Sequence, residues 1–189
     1  YEKIIDFFEK NGYCQYEISN FARVDDKNIK IDKIMDFEDL KNLQKNAGRH
    51  NLKYWRNQKF IGIGMSAASF FNKNRHSNVR TFKKYYELLD NKKLPIDEKT
   101  VEKVDKVEFE KLRKILGLRL TKEGINYTKK DSEKIEKLLK DGLVEEFFLK
   151  NFEKINYESE KKVDKDCEKR IKLTKKGIFL ANNVFVEFI

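Results

Sequence analysis

Glu2-Lys3-Ile4-Ile5-Asp6-Phe7-Phe8-Glu9-Lys10-Asn11-Gly12-Tyr13-Cys14-Gln15-Tyr16-Glu17-Ile18 is the stretch on which the fold reading turns. Ile4, Ile5 and Phe8 fall on one face of a helix over residues 2–11, and Gly12 supplies the stop. Tyr13 to Ile18 then alternate, with Cys14, Tyr16 and Ile18 on one side of a strand. Helix, glycine and strand in that order are the second half of a βαβ-type unit. The chain opens at Tyr1 without Met and runs straight into this pattern, which leads us to expect a fragment.

Outward from that unit the pattern changes several times. Residues 23–49 are polar and read as a surface connection, with a short helix over 37–46 that places Leu40 and Leu43 on one face. Lys59 to Ala68 carries Phe60, Ile61, Ile63 and Met65 around Gly62 and Gly64, and is expected to be a buried strand followed by a close backbone approach. A helix over residues 81–89 follows. Pro95 is the chain's single proline, behind the polar Asn91-Lys92-Lys93, and marks the best boundary. The expected division is 1–95 and 96–189.

Beyond Pro95, Phe109, Leu112, Ile115 and Leu116 form one helical stripe. Thr128 and Asp131 have capping-box spacing ahead of Ile135, Leu138 and Leu139, and Gly142 ends that helix. Leu143 to Phe152, a polar turn and Arg170 to Leu173 read as a hairpin. Thr174 caps a last helix bearing Ile178, Ala181, Val184, Phe185 and Phe188. Helices, a hairpin wing and a helix describe a winged-helix-like module. The fold class is therefore α+β, derived from an α/β unit at its start.

Composition narrows the function classes. The chain has 189 residues, 39% apolar and 39% charged, with a net charge of +10. Only 8 of the 42 basic residues are Arg, and 32 acidic residues are interspersed with the lysines, so solvated lysine faces explain the charge and a nucleic-acid partner is not expected. Cys14 and Cys167 stand 153 positions apart with no CxxC or His/Cys cluster, which excludes a zinc finger and a disulfide framework. A reducing, cytoplasmic setting follows. No apolar run approaches the roughly 18 residues of a membrane span, and no signal peptide is expected.

Three segments carry a resemblance. The first is Gly12-Tyr13-Cys14-Gln15-Tyr16-Glu17-Ile18-Ser19-Asn20-Phe21-Ala22. The second is His50-Asn51-Leu52-Lys53-Tyr54-Trp55 with Phe60-Ile61-Gly62-Ile63-Gly64-Met65-Ser66-Ala67-Ala68-Ser69. The third joins Leu116-Gly117-Leu118-Arg119-Leu120, Gly124-Ile125, Lys140-Asp141-Gly142-Leu143 and Leu173-Thr174-Lys175-Lys176-Gly177. In this order they resemble the C-terminal half of the oxygen-independent coproporphyrinogen III oxidase family over nearly the whole chain. The His-Asn-x-x-Tyr-Trp segment points to its haem-chaperone-like branch, whereas Gly-Met-Ser-Ala-Ala-Ser is closer to the oxidase branch.

The resemblance implies the C-terminal remnant of a radical-SAM (β/α) barrel, then a small helical, winged-helix-like domain. Full-length members hold a [4Fe–4S] cluster in a Cys-x3-Cys-x2-Cys motif, and the cluster binds and cleaves S-adenosylmethionine. The oxidase branch decarboxylates two propionates of coproporphyrinogen III; the chaperone branch binds haem and delivers it. The main expectation is thus a fragment of such an oxidase, with a porphyrinogen or haem as partner; haem carriage is its alternative and a basic winged-helix nucleic-acid-binding module a second alternative. The cluster motif is absent here, and two cysteines cannot supply three thiolates. This chain is expected to hold neither cluster nor activity, and to expose a barrel face that the missing segment, or a second copy, would cover.

The resemblance also assigns residues. Phe21 and Ala22 match positions that pack on the adenosyl group, or else are strand-end packing. Gly62, Gly64, Ala67 and Ala68 allow backbone to approach the cofactor, or make a tight barrel-closing turn. His50 is a haem-iron ligand with Asn51, Tyr54 and Trp55 against the tetrapyrrole, or it caps a turn while the aromatics fill a crevice. Glu17 hydrogen-bonds a ribose or anchors a loop. Arg119 meets a carboxylate or sits at a helix end. Lys172, Lys175 and Lys176 are expected to belong to a domain that packs on the barrel.

Overall fold

The computed structural model describes residues 1–25, 34–155 and 162–189. Helix α1 (Glu2–Lys10) has Glu2 in its first turn and Lys10 in its last, the arrangement the helix dipole favours. Gly12, at φ +80°, turns the chain into β1 (Tyr13–Glu17). Ile5 is buried, but Ile4, expected beside it, is 49% exposed.

Cys14, Gln15, Tyr16 and Glu17 are all buried, so β1 is covered on both faces and not on one. Its ladder partner is β2 (Asn20–Arg23), antiparallel, with Cys14 opposite Ala22. The polar stretch that follows is more than a surface connection. It contains β3 (Ile34–Asp36) and α2 (Phe37–Gln44), whose cap Asp36 accepts from the Glu38 N–H, and Met35, Leu40 and Leu43 are core residues. Helix α3 (Arg49–Trp55) comes next.

The segment after α3 departs from expectation. Ile61 is 69% and Ile63 89% exposed, so the run is a surface loop, not a buried strand. Only Phe60 keeps a strand-like pairing, bridging to Phe70. The strand itself starts later, as β4 (Ala68–Phe71), hairpinned to β5 (Asn74–Ser77) through Asn72 and Lys73, both at positive φ as a two-residue turn requires. Helix α4 (Phe82–Asp90) buries none of its residues and leaves Phe82, Tyr86 and Leu89 exposed. Strand β6 (Glu102–Lys103) closes this three-stranded sheet against β5.

The remaining elements build the larger core. They are α5 (Lys106–Gly117), β7 (Ile125–Asn126), α6 (Ser132–Lys140), β8 (Val144–Ile155), β9 (Lys162–Leu173), α7 (Lys175–Phe179) and α8 (Ala181–Val186). The expected single last helix is broken at Leu180. The sheet order is β3-β8-β9-β7, and the centre of the expected polar turn lies outside the described residues. β3 runs parallel to β8, Met35 opposite Leu149, so the pairing crosses Pro95. Leu118, Ile135, Leu138, Ile171 and Val184 are at most 2% exposed and form the centre of the core.

The caps follow the sequence. Thr174 Oγ1 accepts from the Gly177 N–H at 3.0 Å. Asp131 closes the capping box on Thr128 and also takes a 2.5 Å bond from Lys114 Nζ. Burial pushes the Asp131 carboxyl pKa up, but the Lys114 bond and the Thr128 N–H and hydroxyl outweigh it and hold the value low. Its stabilisation is therefore complete above the unfolded-state pKa of about 3.9 and is lost as pH falls through the lower folded value. Asp131→Asn is expected to lose about 1–2 kcal/mol at neutral pH and to flatten the acid limb of a stability–pH curve. An acid limb identical to wild type would count against this account.

Candidate functional site

Helix α3 is fixed at both ends. Tyr16 Oη accepts from the Gly48 N–H and from Asn51 Nδ2, each at 3.3 Å, which docks the start of the helix on β1. Leu52 is buried with Tyr16, Ala22, Ala47 and Leu120. At the far end Arg56 donates to Glu123 Oε2 at 2.8 Å and to Gln44 Oε1 at 2.7 Å. Neither Glu123 nor Gln44 carried a sequence signal, because each is a single polar residue, 67 and 12 positions from Arg56, that no spacing rule joins to it.

Between these anchors the side chains divide. His50 is exposed, makes no hydrogen bond among the described residues, and sets its ring edge against Tyr54 with centroids 4.8 Å apart. The Tyr54 ring lies 4.2 Å from Phe60, bringing α3 to the start of the glycine segment. Trp55 turns elsewhere: the Arg119 guanidinium covers its ring at 4.2 Å. Asn51 is occupied by Tyr16 and is part of the scaffold.

The glycine segment is held by neighbours of its own. Asn78 Nδ2 donates to the Gly62 and Gly64 carbonyls at 3.2 and 2.8 Å, and Tyr85 Oη accepts from the Gly64 N–H at 3.1 Å. A Cβ on Gly62 would strike the Ala68 carbonyl, so its bareness is required by the chain's own turn. Gly64, at φ +101°, faces open space; Ala67 is half-buried and Ala68 exposed. Phe21 stacks on Phe8 at 4.6 Å, and Ala22 is buried under Leu52. Phe21 is thereby committed to α1 and Ala22 to the core under α3. Glu17 Oε1 accepts from the Ser19 N–H, which anchors the β1–β2 turn.

No family model matches the chain. The heme chaperone HemW of Lactococcus lactis is 30% identical over 194 residues, and that of Bacillus subtilis 31% over 190; each match covers 100% of this chain and 41% of the relative. HemW of Synechocystis is 33% identical over 113 residues, 58% of this chain and 22% of the relative. Over its whole length the chain is similar to the C-terminal portion of these HemW proteins. It spans about two fifths of the length of these relatives.

Among solved structures, the coproporphyrinogen III oxidase HemN from Escherichia coli, titled a radical SAM enzyme, superposes with a TM-score of 0.56. That match has 18% identity and covers 99% of this chain and 39% of HemN, and shows a shared mixed α/β fold. The HemW relationship raises the question of which groups this chain's residues fit. An iron–sulfur cluster does not fit them: Cys14 is buried, Cys167 exposed, and the described residues contain no group of three His, Cys, Asp or Glu able to hold a metal. Burial, its largest influence, raises the Cys14 thiol pKa, the opposite of what a ligating thiolate needs. An imidazole-ligated haem does fit, since the His50 ring is exposed and uncommitted. No helix among the described residues is long and apolar enough to cross a membrane.

Proposed function

We propose that this chain is the haem-contacting, C-terminal portion of a haem chaperone, and that His50 is its iron ligand. The observation that carries the reading is the exposed, unbonded His50 ring set edge-on to Tyr54 on a helix clamped at both ends. A bound haem would supply an iron that a neutral imidazole can ligate. What this chain's residues do is present that imidazole. Tyr54, leaning on Phe60, fixes its direction and offers an aromatic edge to the macrocycle. The Arg56–Glu123 pair holds the helix end. Trp55, whose ring is covered by Arg119, supports the site from inside and does not stack on the tetrapyrrole.

The haem-carrying reading takes precedence over decarboxylation, because curated relatives matching the whole chain are named heme chaperones while the oxidase likeness is one of fold. Residues 1–95 are assigned to the closing part of a radical-SAM barrel and 96–189 to a winged-helix-like domain, joined through β3 and β8. In a complete barrel Phe21, Gly64, Ala67 and Ala68 would border S-adenosylmethionine. Ala22 and Gly62 would contribute packing behind them. The exposed apolar residues Ile61, Ile63, Phe82 and Tyr86 belong to the face that the rest of the barrel would cover. The working compartment is the cytoplasm.

Titration of haem into the protein and into His50→Ala, followed through the Soret band, tests the ligand assignment. Wild type is expected to shift the band, and the variant to bind at least about tenfold more weakly. Superimposable Soret spectra from the two would remove His50 from the site.

A further inference from the structure

The haem reading uses Trp55 only as packing and gives no chemical role to the polar side chains beside it. Arg119 follows α5, one residue beyond the cap Leu118. Its guanidinium lies flat on the Trp55 ring, 4.2 Å from the centroid. One terminal nitrogen comes within 3.8 Å of Glu17 Oε2, too far for a hydrogen bond. Arg119 Nε, Glu17 Oε2 and Trp55 Nε1 are all buried and lack a hydrogen-bond partner among the described residues. Buried polar atoms are nearly always paired, so three orphans on three neighbouring side chains mark a place where something is missing. Glu17 itself is 0% exposed.

The group has an outlet. Arg119 keeps 25% of its side chain exposed. It lines a cleft of about 310 Å³ between the turn at Ile18 and the α7–α8 junction, facing Ile178, Leu180, Asn182 and Asn183. Arg119 is the one charged residue of that lining. A guanidinium laid on an aromatic ring, loosely paired to Glu17 at 3.8 Å and with its fork in no hydrogen bond among the described residues, is prepared for a planar oxyanion. Ile178 and Leu180 give the mainly polar lining an apolar patch that suits a ligand with a short hydrocarbon body. Glu17, directly behind, opposes a doubly charged anion more than a singly charged one.

The geometry points to a binding site for a monocarboxylate group in this cleft, with Arg119 receiving the carboxylate and the Asn182 and Asn183 amides as further donors. The carboxylate can belong to a free small acid or be a side arm of a larger ligand such as a tetrapyrrole. The site does not depend on the assignment of His50.

Trp55 is the chain's single tryptophan, so its emission reads the site directly. Isobutyrate, titrated at constant ionic strength against chloride, is expected to give a saturable emission change, and inorganic phosphate a weaker one. Arg119→Gln is expected to weaken isobutyrate binding by about tenfold or more. Glu17→Gln keeps an acceptor for the Ser19 N–H while removing the opposing charge, and is expected to tighten binding, which a purely structural pair would not do. A parallel Soret titration of Arg119→Gln separates the sources: weaker haem binding assigns the carboxylate to the tetrapyrrole, and unchanged haem binding assigns it to a free acid. Emission that follows isobutyrate no more than chloride overturns the proposal. So does isobutyrate binding that is equal in wild type and a folded Arg119→Gln, or no tighter in Glu17→Gln.

Discussion

Gly124→Ala is expected to lose about 3 kcal/mol or more of stability, far beyond an ordinary glycine substitution. Two costs coincide there. Gly124 has φ +54°, a conformation that costs a residue with a Cβ about 1–2 kcal/mol. A Cβ would also land on the Ile171 carbonyl and come within 3.1 Å of Lys172 Cβ. Neither neighbour can yield cheaply, because Ile171 is fully buried and paired to Ile125 across β7–β9. Arg170 fixes the same turn through bonds to the Glu123 and Gly124 carbonyls at 2.9 and 3.0 Å. Gly142→Ala is the matched control. It has φ +67° but open space around the added carbon, so it should lose only about 1 kcal/mol. Urea denaturation of the two variants compares them, and equal losses would sink the steric part of the argument.

Phe147→Ala is expected to cost about 3–5 kcal/mol. The ring is 1% exposed and fills the space between Cys14, Met35, Leu40, Leu43 and Leu149. It also underlies Lys172, whose Nζ sits 4.9 Å from the ring centroid. Lys172 is only 7% exposed, and burial pulls its pKa down against the opposing pull of Glu145. Removing the ring therefore opens a cavity and takes away the aromatic face that tolerates a half-desolvated ammonium. Phe147→Leu, which keeps most of the volume, should lose clearly less. A loss below about 1 kcal/mol for the alanine variant in equilibrium unfolding would mean that this core collapses freely around the gap.

What could be read from sequence was local. Gly12 and Gly142 stop helices because each needs a positive φ, and the Thr128–Asp131 box closes because its partners are three residues apart. The last hairpin was legible at its base, residues 143–152 and 170–173, while the first part of β9 was read as turn. β3 was hidden: three residues in a polar stretch find their partner only when β8 exists. The β4–β5 hairpin was hidden for a different reason, since Asn72-Lys73 adopts positive φ without a glycine to announce it. Ile61 and Ile63 misled, because an apolar run looks the same whether its cover lies in this chain or elsewhere. For the site, His50 and Tyr54 were found through their motif and do meet. The Glu17–Arg119–Trp55 group was only partly visible: its members are separated by up to 102 positions, and no spacing rule joins them.

The parallel pairing of β3 with β8 sets an order of events for the growing chain. Met35 and Leu149 are neighbours in space but 114 positions apart (149 − 35). Closing so long a loop is entropically costly, while the β8–β9 hairpin closes a much shorter one. The hairpin therefore becomes the template, and β3 adds to its edge afterwards, bringing α2 with it. On a ribosome α3 leaves the exit tunnel well before β8, so the Tyr16 anchor at its start is in place early while the Glu123 anchor of Arg56 waits for the C-terminal half.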